Sequence, residues 1–101
     1  MNPCCLTLIF QNAVEEEIID FMLANETAKN GFHTFRIEGH GHDARLATMK
    51  EQVRGRAHKS RMDILLGEEE AQSLLSEIKS AFPDMKLAFW VSPISTFGRL
   101  P

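Results

Sequence analysis

No stretch of about 18 apolar residues occurs anywhere in this 101-residue chain, so no helix is expected to span a membrane. The first residues lack the basic start and apolar run of a secretory signal, which makes a cytoplasmic protein the expectation. There is no surplus of positive charge: the formal net charge is −3, which disfavours general nucleic-acid binding. Cysteine is scarce, and Cys4 and Cys5 are neighbours. A disulfide between adjacent residues is strained, so no disulfide framework is expected. Internal repeats and low-complexity tracts are also missing, which leaves an ordinary globular composition of single-domain size over residues 1–101.

What is present is strongly periodic. "CLTLIF" alternates Leu6, Leu8 and Phe10 with Cys5, Thr7 and Ile9, and reads as a strand with both faces partly buried. Asn12 is a good N-cap, Glu15 can complete a capping box, and Glu15–Glu17 suit the positive end of a helix dipole. Val14, Ile18, Phe21 and Met22 then recur at helical spacing, and Lys29–Gly31 marks a turn. "FHTFRIE" is the second strand, with His33, Phe35 and Ile37 on the face expected to meet the helices. A third strand resumes near His58 and is broken by Gly67. Ala71, Leu74, Leu75, Ile78 and Phe82 describe a second helix, opened by three acids and closed by Pro83. "MKLAFWV" is the last strand.

The order β-α-β, loop, β-α-β predicts an α+β, ferredoxin-like sandwich: a four-stranded antiparallel sheet with two helices on one face. In a monomer the uncovered face should be polar. Here it is expected to carry Cys5, Ile9, Phe32, Leu65, Ala88 and Trp90, too much apolar surface to leave in water. Self-association with closed symmetry is the simplest cover, with Ile9, Phe32, Leu65 and Trp90 as interface residues. The alternative is that the tail folds back over this face with Ile94 and Phe97.

The segment Gly39–Ala57, between the second and third strands, concentrates unusual chemistry. Gly39–Arg61 holds six of the eleven Lys and Arg residues against two acids, and His40, His42 and His58 are three of the four histidines. In "GHGHD" the imidazoles of His40 and His42 project to one side if the chain is extended. Asp43 could add a carboxylate and His58 a third imidazole, a donor set suited to Zn, Cu, Ni or Co. Solvated histidines in a polar loop are the plain alternative. Arg54, Arg56, Lys59 and Arg61 could clamp an anion or a partner's acidic patch, or simply guard a strand edge against pairing. The third strand carries no interleaved aromatics of the kind that stack on RNA bases. No Ser-His-Asp, Cys-His or paired-carboxylate constellation suggests an enzyme.

"FRIEGHGHD", "RGRAHKSRMDILL" and "EEEAQSLLSEIKSAFP", with the long interval from Gly39 to the third strand, together resemble the PII signal-transduction superfamily, in particular its short PII-like members. The resemblance spans about Leu6 to Pro93. It implies a homotrimer whose sheets pack around a threefold axis. It also implies a loop that responds to a ligand and docks to a partner protein such as a membrane transporter. PII proteins bind ATP with a Gly-rich, Lys-bearing loop after the second helix. This chain has "AFPDMK" there and only Arg99 of the C-terminal arginine pair, so ATP is not expected. CutA-type divalent-cation-tolerance proteins are similar in fold and length, which implies the metal reading through His40 and His42 as an alternative.

Overall fold

The structure, a computed structural model, describes residues 2–28, 30–40 and 56–101, the side chains of Arg56 and Ala57 excepted. Strand β1 (Pro3–Gln11) leads through a 3-10 turn to helix α1 (Glu15–Leu23), strand β2 (His33–His40), strand β3 (Arg56–Gly67), helix α2 (Glu68–Ala81) and strand β4 (Ala88–Pro93). The strands form one sheet in the order β2-β3-β1-β4, and all three pairings are antiparallel. This is the ferredoxin-like sandwich.

The core follows from period-2 alternation on the two central strands. Cys4, Leu6, Leu8 and Phe10 on β1 are paired with Leu66, Ile64, Met62 and Ser60 on β3, and all eight are buried. Ile18 and Met22 from α1 and Ala71, Leu74 and Ile78 from α2 close the same cluster. Each large side chain so buried contributes about 1.5–3 kcal/mol. Phe21 and Phe82 meet edge to face at 5.4 Å and join the far ends of the two helices. Helix α2 begins as its acids suggest: the Gly67 N–H donates to Glu70 Oε1 at 2.9 Å.

Four assignments differ from the sequence expectation. Helix α1 starts at Glu15, with Asn12–Val14 as a 3-10 turn. Asn12 therefore lies a turn too early to cap the helix, and its amide donates to Ser60 Oγ at 3.0 Å and towards Glu15 Oε2 at 3.5 Å. Second, pairing continues further than the side-chain pattern indicates, since Gly39 is paired with Ala57 and His40 with Arg56. Backbone ladders need no apolar side chain, so the segment between strands is 41–55 and not 39–57.

Third, Phe35 and Ile37 do not face the helices. They are paired with Arg61 and Lys59, and His33 with Asp63, which puts all three on the outer face. Both parities of β2 carry an aromatic, so alternation alone could not choose; the register with β3 did. Fourth, and for the same reason, Phe32 leaves the proposed interface set and packs, half-buried, against the core.

Candidate functional site

Two places gather polar side chains. The first is the end of the sheet where β2 and β3 run towards residues 41–55. Asn12, Arg36, Ile37, Glu38, His58 and Lys59 line a recess of about 310 Å³ there. The start of α1 is tied to it by a polar chain. Ser60 Oγ, fully buried, accepts from Asn12 Nδ2, and the buried Glu15 carboxylate lies 3.4 Å from the Arg36 guanidinium. Arg36 is 77 % exposed, so this ion pair adds little stability and serves to orient the side chain.

Glu38 is paired with His58 and His40 with Arg56, which puts both imidazoles on one face as diagonal neighbours, roughly 7–8 Å apart at the backbone. Both histidines are exposed. No group of three or more metal-binding side chains forms among the described residues. His42, Asp43 and Arg54, and the side chain of Arg56, lie outside the described residues.

Lys59 lines the recess, its stem lying across Gly39, where a Cβ would come within 3.1 Å of Lys59 Cδ. Arg61 does not join it. Its Nε and Nη2 donate to the two Asp63 oxygens at 3.0 and 3.2 Å. The guanidinium, part of the anion clamp expected from sequence, is thus engaged by a carboxylate. Asn12 and Arg36 were missed because each has an ordinary local reading, as a helix cap and as a strand residue. Only the registers of β3 with β1 and with β2 bring them to Lys59.

The second place is the outer face of the sheet. Arg61 sits between two rings, 5.7 Å from the centroid of Phe35 and 5.7 Å from that of Trp90. Thr7 Oγ1 donates to Asp63 Oδ1 at 2.9 Å. The hydrogen bonds to Asp63 push the Arg61 guanidinium above its already high range, against the opposing effect of its partial burial. Around this polar centre lie Cys5, Ile9, Ile37, Leu65 and Ala88. Phe35, Leu65 and Trp90 are left 47, 37 and 44 % exposed, an apolar surface around a self-satisfied ion pair.

Cys4 is buried on the helix side. Desolvation, with smaller contributions from Glu68, Cys5 and Glu70, raises its thiol pKa above the ordinary 9.0. The fold therefore favours the neutral thiol. The stability this group contributes is fully present below pH 9.0 and is lost as pH rises through the higher folded value. Denaturant midpoints measured at about pH 7 and about pH 10 should fall more for the wild type than for Cys4→Ala. An equal fall would show that Cys4 carries no such linkage.

A four-stranded sheet in this order, two helices on one face and long β2 and β3 extending towards the intervening segment make the fold PII-like. The chain belongs to the family described as "Protein of unknown function (DUF3240)", which matches residues 1–101. A crystal structure of a DUF3240 family protein from Shewanella baltica OS155 superposes with a TM-score of 0.80 at 21 % identity, covering 100 % of this chain and 99 % of that one. CPII, a nitrogen regulatory PII-like protein from Thiomonas intermedia K12 bound to ADP, AMP and bicarbonate, gives a TM-score of 0.68 at 17 % identity over 99 % of this chain and 98 % of its own. CutA from Synechococcus elongatus PCC7942, complexed with Bis-Tris, gives 0.66 at 14 % identity over 92 % and 80 %. At these identities the likeness is one of fold. No curated protein sequence matches this one. Among the described residues no helix is long and apolar enough to cross a membrane.

Proposed function

We propose that this protein is a PII-like regulatory module. It self-associates, as a homotrimer, through the outer sheet face, and recognises a small anion or an acidic partner surface at the end of β2 and β3 and the adjoining segment. The recess lined by Arg36 and Lys59 carries the reading, because it sets two cations beside an amide donor. The bicarbonate in the CPII structure adds support as a ligand of a similar fold. ATP is not part of the proposal, and neither is catalysis. A partner docking there, a membrane transporter for instance, would present carboxylates to the same cations.

Titration of bicarbonate, with chloride at equal ionic strength as reference, tests the anion. Millimolar binding that falls about tenfold in Lys59→Ala is expected, since a charge-assisted hydrogen bond is worth about 1.5–3 kcal/mol. Binding indifferent to both Lys59→Ala and Arg36→Ala would remove the recess as the site.

A second reading rests on the exposed His40 and His58 sharing one face of the β2–β3 pair. With His42 and Asp43 they would hold a divalent transition metal. Calorimetric titration of Zn, Cu, Ni and Co should then give micromolar binding that is lost in the His40→Ala, His42→Ala double variant. Uptake unchanged in that variant would end the metal reading.

A further inference from the structure

The recess where β2 and β3 run towards residues 41–55 holds one residue that a plain anion site would not place there. Arg36 and Glu38 are two apart on β2, so their side chains stand on one face, about 6.6 Å apart along the strand. Opposite them on β3 are Ser60 and His58. Ser60 is buried and accepts from Asn12, which marks this as the helix-side face. Glu38 thus lines the same recess as the cations Arg36 and Lys59, the Asn12 amide and the His58 imidazole.

Charge and hydrogen bonding restrict what fits. Two cations against one carboxylate leave a single net positive charge, which suits a monoanion. The Arg36 guanidinium carries five N–H donors and meets Glu15 through Nη2 at 3.4 Å, so it keeps donors for a ligand oxygen. Glu38 can only accept when ionised. It holds an interaction of its own, but two carboxylate oxygens offer about four acceptor positions, enough to receive a ligand proton as well. An anion without a proton sets its charge against that of Glu38, and like charges so placed repel. An anion carrying an O–H makes the same group a charge-assisted hydrogen-bond partner. At about 310 Å³ the recess lies at the lower end of small-molecule sites and suits a ligand of few atoms.

We infer that Glu38 determines the specificity of the recess, selecting a small monoanion that also donates a hydrogen bond, of the bicarbonate type, over anions that only accept. The inference rests on the recess being the anion site and adds what that site refuses. Arg36 supplies the attraction common to all anions, and Glu38 supplies the difference between them. Glu38 is exposed and keeps much of its hydration, so the discrimination is about tenfold, well short of the several decades reached in closed sites.

The test is calorimetric titration of the full chain with bicarbonate and with nitrate, in mildly alkaline buffer at equal ionic strength. Both are planar monoanions with three oxygens about one atom, and only bicarbonate has a proton to give. The wild type should prefer bicarbonate about tenfold. In Glu38→Gln the ratio should fall to about one, chiefly through tighter nitrate binding, since the new amide also donates. Glu38→Asp, which keeps the carboxylate, should retain part of the preference. Arg36→Gln should weaken both anions alike and leave the ratio standing. Glu38 and Arg36 are exposed strand residues, so the variants should fold normally, which circular dichroism checks. Equal affinity for the two anions in the wild type, or a bicarbonate preference unchanged in Glu38→Gln, would overturn the inference and leave the recess reading intact. No binding of either anion by any of these chains, or binding indifferent to both Arg36→Gln and Glu38→Gln, would overturn the two together.

Discussion

If copies meet through the outer face as proposed, Trp90→Lys should dissociate the trimer to monomers, weakening association more than about a hundredfold. A central aromatic anchor at an interface is commonly worth 2 kcal/mol or more, and an unpaired charge buried at the same place adds a further penalty. At about 1.4 kcal/mol per factor of ten, the two together exceed two decades. The new ammonium would stand beside the Arg61 guanidinium, one of whose two ring partners it removes, while Asp63 is already engaged by Arg61 and Thr7. Like charges would then meet on the outer face with no acid left to offset them. Phe89→Lys is the matched control: it lies on the same strand, is paired with Leu8 on the helix side, and is 54 % exposed. Sedimentation equilibrium of the wild type and both variants decides the matter. A trimer that survives Trp90→Lys, or one lost equally in Phe89→Lys, would mean the outer face is not where copies meet.

Phe10→Ala should cost about 3–5 kcal/mol of unfolding free energy. The ring is 1 % exposed on the central strand β1 and belongs to the cluster shared by both helices. Truncation there removes transfer free energy and leaves a cavity that a paired strand cannot collapse. Against a typical total of 5–15 kcal/mol that is a large fraction. Phe35→Ala, at 47 % exposure on the outer face, should cost less at equal protein concentration if the chain is held monomeric, for example in the Trp90→Lys background. Urea midpoints at one fixed concentration are the measurement, because assembly would otherwise add a concentration-dependent term. A loss below about 1 kcal/mol would place Phe10 outside the stabilising core.

The two predictions differ in how far the sequence anticipates them. Phe10 is a core residue by alternation with Leu6 and Leu8, and no knowledge of its partners is needed. Trp90 is an outer-face residue by the same rule, but its pairing with Arg61 across two strands is not a sequence property. The candidate recess is less legible still. Lys59 and His58 were drawn out by charge and imidazole content, whereas Arg36 and Asn12 belong to other elements and become neighbours only when β3 is laid between β1 and β2. Arg61 shows the converse. It stands among the basic residues of the return strand and shares Lys59's face, yet Asp63 and the two rings hold its guanidinium away from the recess.

The amino-acid sequence by itself determined the element order, the ferredoxin-like α+β class, the buried faces of β1, β3 and both helices, and the presence of a second apolar sheet face, because each rests on a local period of 2 or 3.6 residues. The tertiary structure alone decided the face of β2, the withdrawal of Phe32 to the core, the extension of pairing to His40 and Arg56, and the tail's route past Leu65 to His33. Those depend on register and on contacts between residues distant along the chain. A period cannot supply them, since a one-residue slip preserves the alternation while reversing which side chains face the helices.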